Sequence, residues 1–283
     1  MAVGDVLLDR GVADVLASAP YEELLAGIAP LLRKADIAFC NLEFPFVSNP
    51  SPIPKPISFA VSPPYTALLN YAGFDIVSLA NNHTMDCGKN GLVETMRYLR
   101  QADIAFCGAG RNEKEATTPT VLTVKGVSIG FLAYCDFPPE GIFRLPEAPS
   151  IAVLQDETLI GEVTRAKQNV DILVVSFHWG REFYPWPTAR QRRLAEEAVN
   201  AGADIILGHH PHVLQSIEVK DFPSGRKALI AYSLGNFIFD TTKEGSDQTI
   251  ILECILTKAG LVGYKTHQAK INHCFPKLSD KAQ

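Results

Sequence analysis

Phe74-Asp75-Ile76-Val77-Ser78-Leu79-Ala80 is a short apolar run that ends directly in the polar stretch Asn81-Asn82-His83-Thr84-Met85-Asp86-Cys87-Gly88. A second apolar run, Ala203–Leu207, ends in the same way in Gly208-His209-His210-Pro211-His212. Both runs are short, rich in Val, Ile and Leu, and bounded by Gly or Asn, which predicts buried strands. Open α/β folds place ligand chemistry on the loops that follow such strands. The two stretches therefore predict an α/β protein with a functional site at its strand ends.

The segments around these runs alternate between helix-like and strand-like patterns up to about residue 108. Helical spacing over Tyr21–Lys34 precedes the strand-like Ile37–Cys40, and the helical Leu92–Arg100 precedes Ile104–Cys107. Such alternation is typical of a parallel sheet covered by helices. From residue 213 onward the pattern is mostly strands, a β-rich C-terminal tail. We therefore expect one domain over residues 1–283, with one sheet packed on another and helices outside both.

One segment interrupts the alternation. Residues 44–62 contain five prolines, too many for a helix or a central strand, and predict an extended loop. A lid over a substrate and a passive surface loop are equally good interpretations of it.

Composition excludes some classes of protein. The chain has 283 residues, of which 47% are hydrophobic and 20% charged, as in ordinary globular proteins. A net charge of −5 and a pI near 5.8 argue against a nucleic-acid-binding protein with a broad basic face. The sequence shows neither a signal peptide nor an apolar run approaching the ~18 residues of a membrane span, so a cytoplasmic and a membrane-associated location both stay open. The six cysteines are scattered and predict free thiols rather than disulfides.

Residues with ligand-type side chains follow the strand-like runs along the whole chain. They are Asp5, Glu43, Asn82, His83, His178, His210 and His212. Carboxylate, amide oxygen and imidazole together suit a divalent transition metal ion such as Mn, Fe, Zn or Ni. On an extended segment, His210 and His212 lie on the same side and converge on one centre. A single histidine of this kind is more often a packed core residue, but so many at strand ends favour a metal site.

The motifs that contain these residues carry a family resemblance. They are Gly4-Asp5-Val6-Leu7, Asn41-Leu42-Glu43, Ala80-Asn81-Asn82-His83, Ser176-Phe177-His178-Trp179-Gly180, Gly208-His209-His210-Pro211-His212 and Tyr232-Ser233-Leu234-Gly235-Asn236-Phe237. In this order they resemble the capsule-synthesis (CapA) family associated with poly-γ-glutamate, within the calcineurin-like metallophosphoesterase superfamily. The resemblance implies a four-layer α/β/β/α sandwich.

The resemblance also implies a division of the ligands between two ions. Matched motif by motif, one ion would be held by Glu43, Asn82, His178 and His210, and the other by Asp5, Glu43 and His212. Leu7 stands where the superfamily has a histidine, and Glu43 stands where it has a bridging aspartate. We therefore expect one firmly held ion and a second that is weak or absent.

The predicted chemistry follows from the ion and one neighbouring pair. A divalent ion lowers the pKa of bound water and so supplies hydroxide as a nucleophile. His83 is placed to protonate the leaving group, and Asp86, three residues further on, to fix the His83 ring. The alternative for Asp86 is a turn residue before Gly88.

Three residues are candidate substrate contacts. Arg181 suits a carboxylate or a phosphate, Asn236 follows a strand-like run, and His209 lies inside the histidine motif. The alternatives are a solvated arginine, a capped turn at Leu234-Gly235, and a histidine that supports the ligands or only packs.

Three functions remain open. The first is a metal-dependent hydrolase or transferase acting on the γ-amide bonds of an anionic glutamate polymer, as the resemblance implies. The second is a phosphoesterase of the calcineurin type acting on a small anionic substrate. The third is a non-catalytic component of polymer assembly or export that has a vestigial metal site and works with other polymer-synthesis subunits at the membrane. The missing histidine counts against the second, because phosphoryl transfer commonly uses two ions. The intact His83/Asp86 pair counts against the third, because a vestigial site has no need of a proton donor.

Overall fold

The computed structural model describes residues 1–143, 145–241 and 243–279, so residues 280–283 of the predicted domain lie outside the description. The strands, in chain order, are β1 (Ala2–Val6), β2 (Phe39–Leu42), β3 (Ile76–Ser78), β4 (Ala105–Cys107), β5 (Ala109–Gly110), β6 (Thr120–Val124), β7 (Val127–Cys135), β8 (Ser150–Ile151), β9 (Ile172–His178), β10 (Ile205–His209), β11 (Ile217–Asp221), β12 (Lys227–Ala231), β13 (Asn236–Ile238), β14 (Gln248–Thr257), β15 (Gly260–Asn272) and β16 (Phe275–Leu278). The helices are α1 (Gly11–Ser18), α2 (Tyr21–Leu24), α3 (Ala29–Leu32), α4 (Thr66–Ala72), α5 (Gly88–Gln101), α6 (Glu113–Ala116), α7 (Asp156–Lys167) and α8 (Ala189–Ala201).

The strands form two large sheets. The first sheet has the order β16-β15-β14-β1-β2-β3-β4, and β13 also pairs with β1. Its strands β1 to β4 are parallel, whereas β14 to β16 are antiparallel neighbours on the other side of β1. The second sheet has the order β11-β12-β10-β9-β7-β6, with a parallel centre and an antiparallel strand at each edge. The tail therefore extends the first sheet and completes an edge of the second.

The two sheets pack face to face with helices on their outer faces. The ring of Phe39 in the first sheet stacks on Phe131 in the second, with centroids 6.0 Å apart. Helices α7 and α8 bury their apolar residues against the second sheet in a separate cluster, and α1, α3, α4 and α5 contribute to the cluster of the first sheet. The α/β/β/α sandwich that the sequence predicts is confirmed.

One predicted helix is divided into two short helices in the structure. The spacing of Tyr21–Lys34 predicts a single helix, but the structure has two four-residue helices, α2 and α3, separated by a turn. Pro30 lies in the first turn of α3, where its missing N–H is tolerated, and would break a longer helix. The helical spacing of this segment agrees with the structure, but Pro30 prevents the two short helices from forming one long helix.

The predicted proline-rich loop is present, without helix or multi-residue strand, but its chain bends repeatedly instead of running extended. Its ends are bridged by Phe46 and Val61, and its middle lies on the loop that follows β3. The Ile53 N–H donates to the carbonyl of Asp86 at 2.8 Å. The loop therefore contacts the candidate site instead of running over an unrelated surface.

The carboxyl ends of the parallel strands lie at one edge of the sandwich. Asp5 pairs in register with Asn41 and Asn236, and His209 pairs with His178. Gly208 is required at this edge, because a Cβ there would lie 1.9 Å from the carbonyl oxygen of Tyr232. In the part of the chain that the structure describes, no helix combines the length and apolarity needed to cross a membrane.

Candidate metal centre

All six predicted metal ligands come together at this edge. Asp5 is the last but one residue of β1, Glu43 follows β2 and Asn82 follows β3, so the first sheet supplies three oxygen donors. His178 ends β9, and His210 and His212 follow β10, so the second sheet supplies three nitrogen donors. Apart from the half-buried Asn82, each of these side chains belongs to a buried residue.

His178 lies at the centre of one group of contacts. Its Nε2 is 2.8 Å from Oδ1 of Asn82, 3.1 Å from Nδ1 of His210 and 3.8 Å from Oε1 of Glu43. A ring nitrogen carries at most one hydrogen, so it cannot satisfy all of these neighbours as a donor. A cation placed among these atoms accepts all of their lone pairs at once.

His212 lies at the centre of a second group. Its Nδ1 is 3.2 Å from Oδ2 of Asp5 and 2.9 Å from Oδ1 of Asn236, and its Nε2 is 3.8 Å from Oε1 of Glu43. Within 4.8 Å, the structure holds two sets of ligand atoms, Asp5/Glu43/His178 and Glu43/His210/His212. These sets divide the histidines differently from the predicted division, but both divisions share Glu43.

The electrostatics of the site suit a divalent ion. Burial and then the charge of Asp5 raise the pKa of Glu43 well above its usual value. Burial opposes the charge of Asp5, yet hydrogen bonds to His209 and His212 outweigh it and hold the pKa of Asp5 well below its usual value. Two buried carboxylates this close repel each other unless a positive charge lies between them.

The histidines are divided in their protonation. Burial and then the charge of His210 lower the pKa of His178 well below its usual value, and burial and then His212 lower that of His210 to about 3. Burial also lowers the pKa of His212, but Glu43 and Asp5 outweigh it and bring it to about 9. Neutral imidazole is the form that binds metal, so His178 and His210 have the right form as they stand. The donors present therefore fit a divalent transition metal ion.

The backbone of the histidine loop is strained where the ligands lie. His210 has φ 92° and His212 has φ 56°, in the left-handed region that favours glycine. Such conformations cost of order 1–3 kcal/mol each and cluster at functional sites. The strain lies at two residues whose side chains face the same centre.

His83 and Asp86 form the predicted pair. Nδ1 of His83 lies 2.8 Å from Oδ2 of Asp86, and the N–H of Phe59 donates to the same oxygen at 2.7 Å. Burial lowers the pKa of His83, partly offset by Asp86. Because Nδ1 is engaged, Nε2 is the nitrogen of His83 that remains for a substrate.

The comparisons with known proteins agree with the motifs. The family model described as bacterial capsule synthesis protein PGA_cap matches residues 1–241, a range that contains every candidate site residue. The chain belongs to this family.

Relatives and one solved structure extend the match. The chain is 34% identical over 246 residues to the capsule biosynthesis protein CapA of Bacillus anthracis, covering 84% of this chain and 59% of that protein. It is 31% identical over 277 residues to the PGA biosynthesis protein CapA of Bacillus subtilis, covering 97% of this chain and 72% of that protein. The chain thus spans roughly 59–72% of the length of these relatives. A crystal structure of a hypothetical protein from Thermus thermophilus shares the fold, with a TM-score of 0.59 at 16% identity over 95% of this chain and 98% of that one.

Two asparagines of the PGA_cap motifs support the site without having been predicted to do so. Nδ2 of Asn41 donates to Oδ1 of Asp5 at 2.9 Å and to Oε2 of Glu43 at 3.4 Å. Oδ1 of Asn81 accepts from the N–H groups of His83 and Thr84 at 3.0 and 2.9 Å, and its Nδ2 donates to Oδ1 of Asn41 at 3.0 Å. Both asparagines lie in the motifs that carry the family resemblance. The two-residue spacing of Asn41 and Glu43 places both side chains on the same side of an extended segment, so this signal could have revealed their contact. They orient the oxygen donors of the first sheet.

Lys55, in the proline-rich loop, was also missed. Its Nζ lies 2.5 Å from Oδ1 of Asp86 and donates to the carbonyl of Asn82 at 3.0 Å. The Lys55 side chain is only 6% exposed, so this is a buried ion pair. Nothing in the periodicity of a proline-rich segment distinguishes such a lysine from a solvated one.

A cavity of about 200 Å³ opens beside the predicted ligands. Its lining includes Glu43, His83, His212 and Asn236, together with Arg10. Of the three predicted substrate contacts, Asn236 therefore reaches the cavity.

The other two predicted substrate contacts do not line it. Arg181 is exposed, with its guanidinium 5.9 Å from the ring of Tyr184. His209 is completely buried between the sheets, with its ring 6.0 Å from that of Phe39 and its Nδ1 3.3 Å from Oδ1 of Asp5. As the last residue of β10 it lies in the sandwich, where it supports Asp5, one of the alternatives that the sequence left open.

Proposed function

We propose that this chain is a metal-dependent hydrolase or transferase acting on γ-amide bonds of an anionic glutamate polymer. One observation carries the proposal: Glu43 and His212 line the same cavity as His83, so predicted ion ligands and the predicted proton donor face one volume. Membership of the PGA_cap family and the names of the Bacillus relatives support a glutamate polymer as the substrate.

We propose the six convergent residues as the ion ligands. Glu43, Asn82, His178 and His210 would hold one ion firmly, since their donor atoms cluster around Nε2 of His178. Asp5, Glu43 and His212 would hold a second ion weakly, since Leu7 leaves that group without the histidine of the wider superfamily. When bound, a divalent ion supplies an activated water and polarises the bond under attack.

The residues of the chain then transfer a proton to the leaving group. His83 delivers it from Nε2 to the departing amide nitrogen, and Asp86 holds Nδ1 so that the ring stays in one orientation. Lys55 pairs with the remaining oxygen of Asp86, so both oxygens of this buried side chain have a partner. Asn236 lies beside His212 and is the proposed substrate contact in the same cavity. Arg181 is exposed and does not line the cavity, so its role as a substrate contact stays a prediction.

A second candidate function is a phosphoesterase. The two ligand sets share Glu43, and two divalent ions, if these sets held them, would supply the charge stabilisation that in-line phosphoryl displacement needs. This observation favours the phosphoesterase more than the sequence did.

One experiment separates the candidates. The purified chain, loaded with Mn²⁺, Zn²⁺ or Ni²⁺, is incubated in parallel with poly-γ-glutamate and with aryl phosphates, and products are followed by gel filtration and by absorbance. The proposal predicts shortening of the polymer without release of aryl alcohol. Ester cleavage alone points to the phosphoesterase, and silence with both points to an assembly component that works with other polymer-synthesis subunits at the membrane.

A further inference from the structure

The cavity has one positively charged side chain, that of an arginine, that the proposed mechanism does not use. Among the described residues that line it, Arg10 is the one arginine or lysine. Arg10 comes from the loop between β1 and α1, directly before Gly11. Its side chain is 40% exposed, so it faces the open part of the cavity and not the protein interior.

The guanidinium is held in place from two sides. It lies 5.0 Å from the ring centroid of Phe59 and 5.4 Å from that of Phe239, within the range of cation–π contacts. The ring of Phe59 lies 4.3 Å from that of His83, and the ring of Phe239 lies 4.9 Å from that of His212. Arg10 is therefore one aromatic ring away from the proton donor and one ring away from a predicted ligand.

The backbone around Arg10 supports this position of its side chain. Arg10 has φ 53°, a left-handed conformation that is unusual for a residue other than glycine. The preceding Asp9 accepts from the N–H of Ala60 at 2.9 Å, which ties the loop to the proline-rich segment that carries Phe59. Gly11 allows the approach of the segment that carries Phe239, since a Cβ at Gly11 would lie 3.0 Å from the Cβ of Asp240. Three separate chain segments thus meet around one guanidinium.

The arginine retains free hydrogen-bonding capacity. One of its terminal nitrogens, Nη2, lies 2.5 Å from Oδ1 of Asp240. A guanidinium has five N–H donors in a planar fork, and this contact uses one edge of it. The remaining edge can bind a carboxylate with two parallel hydrogen bonds, which a lysine cannot do.

We infer that Arg10 is the carboxylate anchor of the substrate, binding the α-carboxylate next to the amide bond that reacts. This rests on the proposed function, because in a γ-linked glutamate chain each α-carboxylate is borne by the carbon attached to the amide nitrogen. A substrate whose amide lies between His83 and Glu43 presents that carboxylate within the same cavity. Arg10 therefore selects γ-linked glutamyl units over neutral amides, and Glu182 on the same lining disfavours carboxylates in other positions.

Binding of a small probe tests this without turnover. The probe is γ-glutamyl-glutamate, and the matched probe is the same dipeptide with both α-carboxylates converted to primary amides. Calorimetric titration uses the Mn²⁺-loaded full chain in a His83→Ala background, which stops the proposed reaction. We expect the acid to bind about 10-fold or more tightly than the amide, as the loss of a charge-assisted hydrogen-bonded pair predicts.

Variants of Arg10 and of Asp240 distinguish a substrate-binding role of Arg10 from a purely structural role. Arg10→Gln should weaken the acid to the level of the amide, whereas Arg10→Lys should recover only part of the difference. Asp240→Asn should bind the acid at least as tightly as the parent, because it frees a guanidinium edge, while a purely structural ion pair would make it as harmful as Arg10→Gln. Arg97→Gln is the control, since Arg97 is exposed and lies 4.3 Å from the Tyr98 ring without lining the cavity.

The outcomes distinguish this inference from the proposed function. Equal binding of acid and amide overturns the anchor even if Arg10→Gln fails to fold, because that comparison leaves Arg10 intact. Equal binding of the acid by Arg10→Gln and its parent also overturns it. Carboxylate-dependent binding that Arg10→Gln abolishes, together with no cleavage of poly-γ-glutamate, upholds the anchor and refutes the hydrolase.

Discussion

The two sheets contribute different chemistry to the candidate centre. The first sheet places Asp5, Glu43 and Asn82 there, all oxygen donors, and the second places His178, His210 and His212, all nitrogen donors. Neither sheet alone holds a mixed donor set, and mixed oxygen and nitrogen ligands are what borderline divalent ions prefer. The site therefore exists only after the sandwich has closed, and its ion would link the two sheets.

The two halves also differ in how they are supported. The oxygen donors are fixed by a network of amides and by Lys55, with Asn41 bonded to both carboxylates. The histidine side relies on a short loop with left-handed backbone at His210 and His212. Substitutions in the two halves should therefore have different effects.

The largest effect is expected at the shared ligand. Glu43→Gln should abolish binding of both ions, with an affinity loss of at least about 100-fold, because both ligand sets contain Glu43. Plasma emission spectrometry of dialysed protein measures the bound metal. Glu253→Gln is a control, since Glu253 pairs with His267 on the antiparallel part of the first sheet. Retention of one full equivalent of metal by Glu43→Gln would refute the bridging role.

The next effect separates chemistry from metal binding. His83→Ala should lower turnover about 10²–10⁴-fold, the usual contribution of a general acid, while the metal content stays at the parental level. Turnover is measured with whichever substrate the parent chain cleaves, poly-γ-glutamate or an aryl phosphate, and the metal content is measured on the same samples. Full activity in His83→Ala would remove the His83/Asp86 pair from the mechanism.

A ligand exchange sharpens the contrast between oxygen and nitrogen donors. His178→Asp replaces a nitrogen donor of the second sheet by an oxygen donor, and should shift the ratio of Mn²⁺ to Zn²⁺ affinity toward Mn²⁺ by about 10-fold, since carboxylates favour harder ions. Competition titration with a chromogenic chelator measures the ratio. An unchanged ratio would mean that His178 does not touch the ion.

The smallest effect on turnover is expected at the support of the oxygen side. Lys55→Met leaves the buried Asp86 carboxylate without its cation, and should lower the free energy of unfolding by about 3–5 kcal/mol and turnover by about 10-fold. Urea denaturation and activity assays measure the two quantities. Lys55→Arg keeps the charge and should recover most of both. Wild-type stability in Lys55→Met would show that the ion pair contributes little.

The features that could be predicted from the sequence are those whose signal lies within a short segment of the chain. The apolar runs before Asn82 and His210 predicted strands, and strand ends predicted a shared edge, because parallel strands place their carboxyl ends together. The α/β sandwich and the family followed from the same motifs. The His83/Asp86 contact was also local, since only three residues separate the two.

The remainder depended on contacts between distant segments. Lys55 reaches a carbonyl 27 residues away, and Arg10 reaches a carboxylate 230 residues away, so no periodicity marks either of them. Arg181 looked suitable by side-chain type, whereas the left-handed backbone that directs Arg10 is invisible in a sequence. The helix over Tyr21–Lys34 failed for a different reason, because the spacing was right but Pro30 limited the length.

The central claim is that donors from both sheets bind one ion. Crystals of the chain soaked in Mn²⁺ or Zn²⁺ and measured at the absorption edge of the metal test it most directly. The account predicts an anomalous peak in contact with Glu43, Asn82, His178 and His210, and at most a weak second peak beside Asp5 and His212. A peak that contacts donors of only one sheet, or no peak at this edge of the sandwich, would contradict it.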